Sequence, residues 1–170
     1  MAEEIIATLH TPASQVGFLL LLGYFRATKK FYAPDTFTHV DIVFAQRRLS
    51  LETTGTLEAY AKTTMHRHKI LIRAKLGYRH YAPAAHAALA KEADFLLSKH
   101  LRLKEIFGVL LAKLEQQKVE VPSYHRLADL ITAGFRTYEK RLLSAVENSL
   151  RREDKTFLDG PAEASADNSA

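Results

Sequence analysis

The sequence lacks cysteine and tryptophan and has few glycines and prolines. Its 170 residues include no Cys, no Trp, seven Gly and five Pro. The absence of cysteine excludes disulfides, thiol catalysis and cysteine-ligated zinc. The shortage of glycine and proline disfavours an all-β fold, because short strands need a turn signal after each of them.

Long apolar runs and a basic leader are missing as well. The longest purely apolar run spans residues 18–22, whereas a helix that crosses a bilayer needs about 20 apolar residues. The first four residues, Met-Ala-Glu-Glu, are acidic where a signal peptide is basic. Hydrophobic residues make up 47% of the chain, which excludes disorder over most of its length. We therefore expect a soluble, cytoplasmic protein with no membrane contact.

Positive charge is concentrated in the first half of the chain. The net charge is +5, and residues 1–91 hold 12 Lys and Arg against 6 Asp and Glu. Residues 92–170 hold 12 against 13, and no acid occurs from residue 59 to residue 91. A long block of one sign attracts polyanions, of which nucleic acid is the commonest. The alternative interpretation is a solvated helix face that serves solubility.

The apolar periodicity is helical throughout and predicts an all-α fold. We expect about six helices in two small helix-turn-helix-like bundles, with a long C-terminal helix and a disordered tail. The predicted domains are residues 1–80, residues 81–154 and a tail over residues 155–170. The predicted helix starts are Thr11-Pro12, Thr38, about Thr56, Pro83, about Leu103 and Ser123, and the last helix runs roughly to Arg151 with an apolar stripe from Leu127 to Leu150.

Two pairs of predicted helices have helix-turn-helix spacing. The first pair covers residues 38–49 and 56–76, and the second joins residues 103–117 to the helix capped by Ser123. The second helix of such a unit enters the major groove with its N-terminal residues at base edges. A plain helical hairpin has the same spacing, so the pattern leaves both interpretations open. On the helix-turn-helix interpretation, base contacts come from Ser123, Tyr124, His125 and Arg126.

No catalytic motif stands out in the sequence. His66 and His68 are two residues apart, so on a helix they point in different directions and cannot share a metal ion. His68 lies on the apolar stripe and is predicted to be a core histidine with one hydrogen-bond partner. The carboxylates are scattered, whereas a two-metal nuclease needs several of them close together. We expect no metal, no cofactor and no enzyme, with a small nuclease that uses the histidine pair as the least favoured alternative.

Several separated segments together resemble the N-terminal DNA-binding region of the Tn-three family of replicative transposases, the relatives of the gamma-delta transposon. Residues 17–26 read GFLLLLGYFR, residues 45–49 read AQRRL, and residues 121–127 read VPSYHRL. Between them lie Arg67-His68, Ile72-Arg73 and the LGYR of residues 76–79. The resemblance covers roughly residues 5–150, with the segments in the same order.

The resemblance implies a fold and a function. The N-terminal modules of these large bacterial proteins are helical and bind the terminal inverted repeats of the transposon. Their acidic, metal-dependent catalytic triad lies far toward the C-terminus, and this chain ends before that region. We therefore expect a DNA-binding portion of a bacterial transposase, or a truncated or split transposase, whose partners are double-stranded transposon ends and the catalytic part of a transposase.

The DNA contacts predicted from the residues fall into two groups. Basic residues of the first half contact phosphates, and the start of the last helix contacts bases. The competing hypothesis is a helical interaction module that forms a homodimer or regulates a full-length transposase. The predicted contacts are Arg47, Arg48, Lys62, His66, Arg67, Lys69, Arg73, Lys75, Arg79, Ser123, Tyr124, His125 and Arg126.

Overall fold

The computed structural model describes residues 2–51, 57 and 60–150. These residues form seven α-helices, one 3-10 helix at Pro34–Thr36 and no β-strand, which confirms the predicted all-α fold. No helix among them is long and apolar enough to cross a membrane. The helices are α1 (Ala2–Ala7), α2 (Pro12–Thr28), α3 (His39–Arg48), α4 (Lys62–Leu76), α5 (Pro83–Ser98), α6 (Leu103–Gln116) and α7 (Tyr124–Ser149).

Most helix starts follow local capping chemistry. The hydroxyls of Thr11, Thr38 and Ser123 accept hydrogen bonds from backbone N–H groups in the first turns of α2, α3 and α7. Pro83 occupies the first position of α5, where its missing N–H costs nothing. Gly77 ends α4 with a φ of 70°, the left-handed conformation that glycine adopts without strain. These boundaries agree with the predicted ones.

The first half of the chain packs around α2. Both α3 and α4 contact α2, and α1 contacts it from the chain start. Phe18, Leu21 and Phe25 of α2 are almost fully buried in this core, together with Ile72 of α4. The apolar run of α2 is thus covered by its neighbours on several sides.

The second half has a separate core formed by α5, α6 and α7. Leu89 and Ala93 of α5 meet Ile106 and Leu110 of α6, and Leu127 of α7 closes the cluster. The helix α7 packs on both α5 and α6. One cluster of buried residues ends at Tyr78 and the next begins at Tyr81.

Backbone hydrogen bonds join the two halves. The Arg79 N–H donates to the Lys118 carbonyl at 2.7 Å, and the Glu120 N–H donates to the Arg79 carbonyl at 3.0 Å. The Val121 N–H donates to the Lys29 carbonyl at 2.8 Å. We call these contacting segments, residue 29, residues 79–81 and residues 118–121, the seam.

The structure differs from the predicted fold in α1, in the start of α4 and in the burial of α7. The short helix α1 was not predicted, and α4 begins at Lys62 rather than near Thr56. The apolar stripe of α7 is buried only in its first part, because Leu142 is 51% and Val146 is 47% exposed. The predicted tail, the predicted helix end at Arg151 and Thr56 itself lie outside the described residues, whereas Tyr60 and Ala61 are described and precede α4 without being helical.

Candidate nucleic-acid interface

Helix α4 presents three of the predicted basic side chains on one side. His66, Lys69 and Arg73 are spaced three and four residues apart, which places them on a common face. All three line a cleft of about 340 Å³, which we call the cationic cleft. The remaining lining residues are Lys30, Phe31, His80, Glu120, Val121, Pro122 and Ser123.

The second half supplies the opposite wall of the cationic cleft. Ser123 lines it and caps α7, since its hydroxyl accepts from the Arg126 N–H at 3.3 Å. The amino end of this 26-residue helix therefore borders the cleft. A helix amino end carries a partial positive charge, which adds to the potential of the nearby cations.

Glu120 is the one carboxylate among the described residues that line the cleft. Its side chain is 10% exposed, and it accepts a hydrogen bond from Arg73 Nη1 at 2.9 Å. His80 Nδ1 contacts the other carboxylate oxygen, and the Tyr81 N–H donates to that oxygen at 3.2 Å. The Glu120 carboxylate, which belongs to the second half, thus links Arg73 of α4 to His80 and Tyr81 of the connecting segment.

Positive charge exceeds negative charge in the cleft. Among the described residues that line the cleft, Lys30, Lys69 and Arg73 accompany a single carboxylate, and the Phe31 ring contacts two of these cations. Its ring centroid is 5.6 Å from Lys69 Nζ and 5.8 Å from the Arg73 guanidinium. Burial lowers the pKa of Lys69; Arg73 acts in the same direction and Glu120 opposes it. Because burying a charged ammonium group costs free energy, an anionic ligand beside Lys69 would stabilise its charged form. A phosphate oxygen is such a ligand, since it accepts charge-assisted hydrogen bonds from Lys and Arg.

The first turn of α7 stands exposed beside the cleft. Tyr124 is 64% exposed, and its ring contacts Phe107 with the centroids 5.5 Å apart. His125 is exposed next to it. The guanidinium of Arg126 lies 5.0 Å from the centroid of the Tyr81 ring. These side chains are free to meet a ligand that lies across the end of α7.

The other predicted contacts lie outside the cationic cleft. Arg47 and Arg48 are exposed at the end of α3, and Arg67 and Lys75 are exposed on α4. Arg48 pairs with Glu3 at 3.9 Å, and the Arg79 guanidinium donates to the Gln117 carbonyl at 3.2 Å. Lys62 lines a different cavity together with Asp35 and Met65.

The two histidines of the predicted pair lie in different environments. His66 is exposed and lines the cationic cleft, whereas His68 is buried in the first core. The Tyr60 hydroxyl and Nδ1 of His68 share a hydrogen bond of 2.6 Å, which confirms the predicted core histidine with one partner. Among the described residues, no cluster of three or more His, Asp or Glu side chains is arranged to hold a metal ion.

Six cleft residues were not among the predicted contacts: Lys30, Phe31, His80, Glu120, Val121 and Pro122. Lys30 and Phe31 follow α2, His80 lies between α4 and α5, and Glu120 lies in the turn before α7. The basic end of α2 was visible in the sequence, but nothing placed it beside α4. The only local sign of Glu120 was an acid between two valines, a pattern that also occurs in ordinary turns.

The described residues form an all-α protein with two cores and a basic cleft between its halves. Residues 2–134 match the model of a protein family described as a domain of unknown function, DUF4158. The match covers more than three quarters of the 170 residues, so the chain belongs to this family. No curated protein matches the chain in sequence.

Proposed function

We propose that this chain is a sequence-specific DNA-binding module that recognises the terminal inverted repeats of a transposon and has no catalytic centre of its own. The observation that carries the proposal is the cationic cleft at the amino end of α7. Its partners are double-stranded transposon ends and the catalytic part of a transposase in the bacterial cytoplasm.

The chemistry of the cleft supports a phosphate ligand. Lys30 and Lys69 provide ammonium groups, and the amino end of α7 adds its partial charge. Phosphate contacts position a protein on DNA, whereas base-edge contacts give specificity. In this proposal the cleft positions the duplex, and Tyr124, His125 and Arg126 reach base edges.

The family and the resemblance support the choice of DNA. The matched family is commonly found at the N-terminus of Tn-three family transposases. The segments that carry the resemblance include Ile72-Arg73 and residues 121–127, and Arg73 and residues 121–123 of them line the cationic cleft. Residues that are far apart in the chain but belong to the segments that carry the resemblance therefore lie on one surface.

A binding titration tests the proposal. The probes are a duplex that carries the terminal inverted repeat next to this gene and the same bases in shuffled order, each at low and near-physiological salt. A preference for the repeat that persists at higher salt is expected. Equal binding to both duplexes that disappears with salt contradicts the proposal.

The exposed apolar end of α7 favours a second candidate function. Leu142, Leu143 and Val146 are 51%, 62% and 47% exposed on the last turns of that helix. A helical interaction module, for example a regulator that joins a full-length transposase, would bury such a face. Light scattering distinguishes the two functions, since an interaction module forms an oligomer without DNA and DNA leaves that oligomer unchanged.

A further inference from the structure

Glu120 joins groups from both sides of the seam. The residue lies in the turn before α7, and its carboxylate contacts Arg73 of α4 together with His80 and the Tyr81 N–H of the connecting segment. These partners are 39 to 47 residues away in sequence. The contact therefore ties α4 to the amino end of α7.

The other ion pairs among the described residues of the second half do not span the seam. Glu92 pairs with Lys113, and Asp94 pairs with Arg141. The Arg73–Glu120 pair differs because it is also well buried, with the two side chains 13% and 10% exposed. Breaking a buried ion pair leaves an uncompensated buried charge and is strongly destabilising, so the two side chains remain in contact.

We propose that Glu120 is a positioning residue that fixes the α4 cations relative to the amino end of α7. This inference rests on the proposed function: the backbone hydrogen bonds of the seam hold residues 29 and 79 against residues 118–121, and the Glu120 side chain adds a contact to α4 itself. When two binding surfaces are rigidly linked, the second contact becomes intramolecular and is gained only at the correct spacing. Glu120 thereby contributes to the preference for one DNA sequence, although its negative charge opposes DNA binding in general.

The test begins with a distance measurement that needs no DNA. The chain has no native cysteine, so spin labels can be placed on Val40→Cys in α3 and Ala88→Cys in α5, both exposed positions. Pulsed electron paramagnetic resonance then measures the distance between the two spin labels, one in each half. The proteins compared are the parent chain, Glu120→Ala, Glu120→Gln and the control Glu92→Ala. We expect one narrow distance for the parent and the control, a broad distribution for Glu120→Ala, and an intermediate one for Glu120→Gln, which keeps a neutral acceptor.

The same four proteins are then titrated with the repeat and shuffled duplexes. The ratio of the two affinities should fall by about tenfold in Glu120→Ala, since the gain from linking two contacts, which can reach about 100-fold or more, depends on their spacing. Affinity for the shuffled duplex should stay equal or rise, because the substitution removes an acid from a basic cleft. Circular dichroism verifies that all four proteins keep their helices, and Glu120→Gln replaces Glu120→Ala if the latter does not fold.

Two results overturn the inference. One is a narrow, unchanged distance in Glu120→Ala, and the other is an affinity ratio equal to that of the parent despite a broadened distance. If the parent itself shows no preference for the repeat, the proposed function fails, and the distance measurement alone decides whether Glu120 fixes the two halves.

Discussion

The buried pair of Tyr60 and His68 ties a basic helix to an apolar core. His68 is 4% exposed on α4, and its ring meets the edge of Phe18 with the centroids 5.2 Å apart. Burial lowers the pKa of His68 from its ordinary value of 6.5. The folded chain therefore resists protonation at this site, whereas the unfolded chain accepts a proton near that pH.

The depressed pKa of His68 predicts a loss of stability in acid. As the pH falls through about 6.5, the unfolded state binds more protons than the folded state, so the free energy of unfolding decreases. Urea unfolding at pH 7.5 and pH 5.5 measures this decrease. His68→Gln should reduce the difference between the two pH values, and the exposed His10→Gln should retain it; equal differences in both variants would contradict the account.

Two glycines of α2 give opposite predictions for the same substitution. A Cβ added at buried Gly17 would lie 2.7 Å from the Tyr60 ring, whereas one added at exposed Gly23 meets nothing within 4 Å. Gly17→Ala should destabilise the chain by about 1–3 kcal/mol through overpacking. Gly23→Ala should stabilise it by about 0.5–1 kcal/mol, because alanine favours the helix. Thermal unfolding of the two variants checks the signs, and a stabilised Gly17→Ala would show that the Tyr60 contact is wrong.

The start of α7 shows how an element can depend on one side chain. Ser123→Ala removes the cap and should cost about 0.5–2 kcal/mol of unfolding free energy. Ser144→Ala, at an exposed position inside the same helix, should be neutral or slightly stabilising. Chemical denaturation measures both values. Equal effects would mean that the cap contributes nothing to α7.

Helix starts were predictable where their cause is local. A hydroxyl or proline at Thr11, Thr38, Pro83 and Ser123 acts within one turn, so the sequence pattern identified those starts. The start of α4 depends on distant residues instead, because the Tyr60 ring packs on Gly17 and reaches His68. The chain at Ala61 remains extended, with ψ at 143°, and the helix begins only at Lys62.

The distinction between local causes and contacts of distant residues also applies to the whole molecule. The charge block predicted the basic side chains of α4, and the capping pattern predicted the amino end of α7. Their meeting in one cleft depends on the seam, whose hydrogen bonds join Lys29 to Val121 and Arg79 to Lys118. No local pattern encodes these pairings, which is why Lys30, His80 and Glu120 were not predicted as cleft residues.

The measurement that tests the central claim most directly is the salt dependence of binding to the transposon end. Each phosphate contact contributes about 0.9 to the slope of log K against log salt. Lys69→Gln should lower the magnitude of that slope by about one contact relative to the parent. The control Lys140→Gln, on the exposed end of α7 away from the cleft, should leave it unchanged. A slope in Lys69→Gln identical to that of the parent would show that the cationic cleft does not bind DNA.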